Sequence, residues 1–102
     1  MPTLIMQSGL KAPSGVTARC TFSETLPTIV SARFEFADIL DEDGDPLTWT
    51  ATPSAQTSTS ITVTHVFATA SETPAGTRFA VIWLVDGSGN EYPCQRFTIR
   101  FT

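Results

Sequence analysis

Read for the alternation of apolar and polar positions, the chain is a succession of strand signals, clearest near its end. Between Arg78 and Val85, Phe79, Val81, Trp83 and Val85 fall on one parity and Ala80, Ile82 and Leu84 on the other, so both faces are apolar. That pattern predicts a central strand covered on both sides. Between Gln95 and Phe101, Phe97, Ile99 and Phe101 alternate with Arg96, Thr98 and Arg100, the period-2 signature of a strand with one buried and one wet face. Asp86-Gly87-Ser88-Gly89-Asn90 lies between them and supplies residues that tolerate the positive φ of a tight reversal. The stretch therefore predicts a β-hairpin.

The same reading works upstream. Gly15 to Ser23 predicts a strand with Val16, Ala18, Cys20 and Phe22 inward, and Leu26-Pro27 ends it. Ile29 to Ala37 predicts one with Val30, Ala32, Phe34 and Phe36 on the core side. Leu47 to Thr52 carries Leu47, Trp49 and Ala51 and is closed by Pro53, and Ile61 to Phe67 places Ile61, Val63, His65 and Phe67 on one face. Thr3 to Met6 is a first short strand or arm, and Ser54 to Ser60 reads as a polar, low-complexity loop tip. The connections are too short for crossover helices, so pairing should be antiparallel. With 26 Ser and Thr, 7 Pro and 6 Gly among 102 residues, short strands and turns are favoured over helices. The expected fold is all-β: a single immunoglobulin-like antiparallel β-sandwich of about seven strands over residues 15–102, preceded by an arm or first strand at 1–14.

Charge narrows the function classes. Net charge is −4, and half of the ten acids (Asp38, Asp41, Glu42, Asp43, Asp45) crowd into one turn. No basic stripe suits a phosphate backbone, so no nucleic acid is expected as a partner. No run approaches the ~20 apolar residues of a membrane span, and Met1 to Met6 lacks the features of a signal peptide, so the expectation is synthesis in the cytoplasm and no membrane partner.

Chemistry-bearing residues are sparse. Aligning Gly44 with the sharp-turn glycine of a helix-loop-helix calcium site puts Ile39 at the first ligand position and Thr50 at the last, so the acidic stretch reads as a solvated turn. His65 is the single histidine and has no partner at a telling spacing, which predicts a satisfied, half-buried side chain rather than a base. No CxxC occurs, so no metal or cofactor is expected, and with no catalytic constellation the chain is expected not to be an enzyme. Cys20 and Cys94 are about as far apart in sequence as the pair of an inter-sheet bridge, but Cys20 has inward parity, whereas Cys94 shares the outward parity of Arg96 and Thr98 unless Pro93 starts a bulge; two reduced thiols are expected over a disulfide.

One resemblance adds a lineage. Ser31 to Phe36, the acidic glycine turn, Pro46-Leu47-Thr48-Trp49, Thr73-Pro74-Ala75-Gly76-Thr77-Arg78-Phe79 running on to Trp83, a DG-type turn and Tyr92-Pro93 before the last strand resemble the immunoglobulin-like sandwich of tailed-bacteriophage virion proteins, best marked in the N-terminal domain of baseplate upper proteins. The resemblance implies a non-enzymatic structural virion protein. Baseplate proteins continue past such a domain and this sequence stops at Thr102, which favours a capsid decoration or cement protein or a head-neck accessory. The implied partners are other virion proteins of capsid, neck or tail, in many copies or as a homo-oligomer. The apolar group Leu4, Ile5, Met6 and Leu10 is the expected contact, since apolar surface is costly to leave in water. The alternatives are a tail or baseplate adaptor, or a module binding carbohydrate or a host surface through Trp49, Tyr92 and the acidic loop. Burial of Trp49 would favour a scaffold and exposure a ligand platform.

Overall fold

In the computed structural model, which describes residues 3–6, 15–68 and 76–101, every regular element is a strand: β1 (Thr3–Met6), β2 (Gly15–Thr21), β3 (Ile29–Leu40), β4 (Pro46–Ser54), β5 (Ser60–Val66), β6 (Gly76–Asp86) and β7 (Glu91–Phe101). Their order across the sheet is β1-β7-β6-β3-β4-β5-β2. β4 is the corner. Its first part pairs with β3 through Trp49↔Phe34 and Ala51↔Ala32, and its last three residues pair with β5 through Thr52↔Thr64, Pro53↔Val63 and Ser54↔Thr62. The ladder thereby folds over itself, and the layer β1-β7-β6-β3 faces the layer β5-β2, the architecture of an immunoglobulin-like sandwich.

Inward parities meet in one core. Ala32, Phe34, Phe36, Trp49, Ala51, Ala80, Ile82, Leu84, Phe97 and Ile99 of one layer pack with Val16, Ala18, Cys20, Ile61, Val63 and Phe67 of the other. Neighbouring strands are antiparallel except at the margin, where β1 runs parallel to β7 with Leu4 opposite Ile99 and Ile5 opposite Arg100. A parallel pair is accessible there because the two strands lie at opposite ends of the sequence and need no direct connection.

Two bulges overturn parity readings. Ile29 pairs with Asp86 but Ser31 with Val85, so one extra residue, Val30, sits in β3; Ile29 is buried and the expected core residue Val30 is 59% exposed. In β7 the register shifts between Val81↔Arg96 and Trp83↔Pro93, which turns Cys94 into the core while Arg96 stays outside. The Ser54 to Ser60 stretch is more than a loop tip. Gln56 donates to the Pro27 carbonyl (2.6 Å) and accepts from Ile29 N–H (3.0 Å), while the Leu26 and Phe22 N–H groups donate to Ser58 and Thr59 carbonyls. It clasps the β2–β3 connection to the sandwich, with Ala55 in the left-handed region at φ 49°.

Candidate functional site

Trp49 and His65 belong to the core. Trp49, 3% exposed, stacks on the His65 ring at 4.8 Å and 11° and meets Phe36 and Phe67 edge-on. His65 Nδ1–H donates to the Thr50 carbonyl at 2.8 Å, which fixes where that ring proton sits. The histidine is buried rather than half-buried, and a Trp49 carbohydrate platform is ruled out by its burial. The acidic turn spends its leading carboxylate on itself: Asp41 Oδ1 accepts from the N–H groups of Asp43 (2.9 Å) and Asp45 (3.0 Å). Among the described residues no group of three or more His, Cys, Asp and Glu side chains is placed to hold a metal.

Tyr92 anchors the β6–β7 turn. Its hydroxyl donates to Asp86 Oδ2 at 2.9 Å, and Asp86 also accepts from Ser88 N, Asn90 N and the Asn90 side chain. Burial alone would raise the Asp86 carboxyl, but the Tyr92 hydroxyl and then the Asn90 and Ser88 donors outweigh it and hold it below the ordinary carboxylate range. The hydrogen bond to Asp86, followed by burial, pushes the Tyr92 hydroxyl up. A cleft of about 190 Å³ lies beside Tyr92, walled by Phe22 to Pro27.

The outer face of the larger layer departs most from expectation. β6 is central within its sheet, as its two apolar faces require, yet only one face is covered: Ala80, Ile82 and Leu84 are buried, while Val81, Trp83 and Val85 are half-exposed and Phe79 is 43% exposed. A polar clasp shields the Trp83 end. Arg33 lies over the Trp83 ring, 5.5 Å from its centroid, and grips Glu91 through Nη1 (2.9 Å) and Nη2 (3.3 Å), while Trp83 Nε1–H donates to Glu35 at 3.3 Å. At the other end the stripe is bare. Ala37, Phe79, Ala80, Val81 and Arg96 line a shallow pocket of about 330 Å³. Arg96 is exposed and has no ion-pair or hydrogen-bond partner among the described residues, whereas Arg78 is held by Asp38 at 3.8 Å.

Sequence reasoning missed this surface because it assigned the Phe79 parity to a covered face. The signal was present in β7: Arg96 and Thr98 were read as wet, and they pair with Val81 and Phe79, so the face they share had to be open. Of the expected contact residues, Leu4, Ile5 and Met6 lie in β1, whose backbone pairs with β7, and Leu10 lies outside the described residues.

No family model matches the chain, and no curated protein matches it. Among solved structures, CopC from Methylosinus trichosporium OB3b is similar at 12% identity and a TM-score of 0.45, over 99% of this chain and 86% of CopC. The expected kinship with tailed-bacteriophage virion sandwiches is corrected: no family model or curated protein of that kind matches, and the solved structure found similar is CopC. With it go the decoration, neck, tail and baseplate roles. The residues that carried the resemblance, a Pro-Gly approach to an aromatic strand, a glycine turn and a proline before the closing strand, are general strand and turn signals, so they mark an all-β architecture and not a lineage.

Proposed function

We propose that this chain is a non-enzymatic protein-interaction module that docks a partner segment on the bare end of the β6–β7 face. The observation that carries the reading is the pocket of Ala37, Phe79, Ala80 and Val81 with Arg96, which has no partner among the described residues, at its rim. An apolar hollow beside a cation suits a segment that brings an aliphatic or aromatic side chain next to a carboxylate, from Asp, Glu or a chain terminus. Covering Phe79 recovers roughly 25 cal/mol per Å² of apolar surface, and Arg96 gives a charge-assisted hydrogen bond that fixes orientation. The non-enzymatic part is supported by how the reactive groups are used: His65 is locked between Trp49 and the Thr50 carbonyl, and Asp86 is spent on its turn.

The test is selection of peptides from a displayed random library on the purified chain. Enriched peptides should pair an apolar residue with an acidic one, and nuclear magnetic resonance titration with them should move the amide signals of Ala37, Phe79, Val81 and Arg96. Phe79→Ser and Arg96→Glu should each weaken binding by roughly tenfold or more while leaving the melting temperature within a few degrees. Peptides that map to the Tyr92 cleft, or a library that yields no binder, would defeat the reading.

A further inference from the structure

The two cysteines, which parity sends to different faces, meet. The β7 bulge turns Cys94 inward, and β2 and β7, which share no ladder, approach each other across the sandwich within 8 Å at Cα. Cys20 is fully buried and Cys94 is 9% exposed, and both lie in the same apolar cluster. Both are thiols in this structure. Cys20 sits in β2 of one layer and Cys94 in β7 of the other, so a bond between them would tie the layers together and close a loop containing most of the chain.

We propose that Cys20 and Cys94 are a built-in oxidation site, a pair placed to close an inter-layer disulfide while the chain folds. A low-molecular-weight disulfide such as oxidised glutathione serves as oxidant. The Cys94 thiolate attacks one of its sulfurs, the glutathione S–S bond breaks and one glutathione thiolate leaves. Cys20 then attacks the mixed disulfide, the Cys20–Cys94 bond forms and the second glutathione leaves. The two protein thiol protons end on the two glutathione thiolates, so the protein loses two electrons and two protons and glutathione gains them. Once folded, the pair is slow to react. Interaction with Cys94 and then burial push the Cys20 thiol well above its ordinary range, so exchange waits for the sandwich to open. This is a staple set during folding rather than a surface sensor.

The experiment refolds the full chain from denaturant in a glutathione redox buffer and, separately, in excess reductant. The oxidised product should be a monomer two hydrogens lighter, with no thiol titratable in denaturant, and should melt about 10 °C or more above the reduced form. Glutathione adducts, disulfide-linked dimers, two titratable thiols, or a bridged product melting no higher than the reduced one would each overturn the proposal. Cys94→Ala should melt at the same temperature in both buffers, and a rise there would show that the gain does not come from this pair. Should that variant fail to fold, the wild-type comparison still decides.

Discussion

Two turns at opposite ends of the sandwich share one backbone plan. Asp41-Glu42-Asp43-Gly44-Asp45 is flanked by the pair Leu40↔Pro46, and Asp86-Gly87-Ser88-Gly89-Asn90 by Val85↔Glu91. In each, the leading Asp N–H donates to the carbonyl of the fifth residue and the fourth residue, a glycine at φ 82° or 86°, donates back to the Asp carbonyl. In each, the Asp Oδ1 accepts from the third and fifth N–H groups. They differ in what the second carboxylate oxygen does. Asp86 Oδ2 accepts from Tyr92 and Asn90 and the residue is 9% exposed, while Asp41 is exposed and the position equivalent to Tyr92 holds Leu47. The highly charged turn is the lightly anchored one. Charge draws the eye in a sequence, but hydrogen bonds to a buried acceptor carry more of the fold.

Replacing the leading Asp in each turn breaks the comparison most sharply. Asp86→Ala leaves two turn N–H groups and the Tyr92 hydroxyl without their acceptor and should lower the melting temperature by about 10 °C, whereas Asp41→Ala, whose donors can turn to water, should lower it by half that or less. Equal losses would show that Tyr92 adds nothing. The glycines ask the converse question. A Cβ at Gly44 or Gly89 would meet nothing within 4 Å, so alanine there costs only the left-handed backbone, about 1–2 kcal/mol at either site. Denaturant unfolding of Gly44→Ala and Gly89→Ala should therefore give matching losses, and a large disparity would mean that the shared plan is superficial.

A smaller effect follows from titration. The folded Asp86 carboxyl lies below its ordinary value of 3.8, so its ionised form is the favoured one in the native state. The stability it contributes is fully present above the unfolded pKa and is lost as pH falls through the lower folded value. Asp86→Asn keeps the shape and one acceptor oxygen but cannot ionise. Melting curves from pH 7 down to 2 should show a constant gap between wild type and variant above roughly pH 4 to 5, narrowing below it. A gap that does not change over this range would remove the charge from the account.

Strand existence, order of apolar faces and the closing hairpin were legible because period-2 alternation reports burial directly: Val16, Ala18, Cys20, Phe34, Phe36, Trp49, Val63 and Ile82 all face inward as their parity demands. The failures have two causes. A bulge inserts one residue, and sequence marks it poorly: Val30 went to solvent, and Cys94 to the core, where only Pro93 hinted at it. An apolar parity, moreover, does not say what covers it. Phe79 and Val81 look like Ile82 and Leu84 in sequence, and only the register opposite Thr98 and Arg96 reveals that their face is open. The bare pocket therefore stayed invisible, while the Asp41 turn, rich in carboxylates, was conspicuous for a property its geometry uses locally.

The smallest expected effect concerns that turn. Its four acids suggest a cation loop, but Asp41 Oδ1 already accepts two backbone N–H groups, and Ile39 and Thr50 stand where the first and last ligands of a helix-loop-helix site would be. A ligand that binds the native state raises its stability by RT ln(1 + [L]/Kd), so even a millimolar Kd would give about 0.4 kcal/mol at 1 mM calcium, a shift of roughly 2–3 °C. Screening of the crowded carboxylates acts in the same direction but does not distinguish cations of equal charge. Melting in 1 mM calcium should therefore match melting in 1 mM magnesium to within about a degree. A rise with calcium alone, abolished by Asp43→Asn but kept in Asp86→Asn, would show that the exposed turn binds an ion that its buried twin does not. The two turns would then differ in function as well as in anchoring.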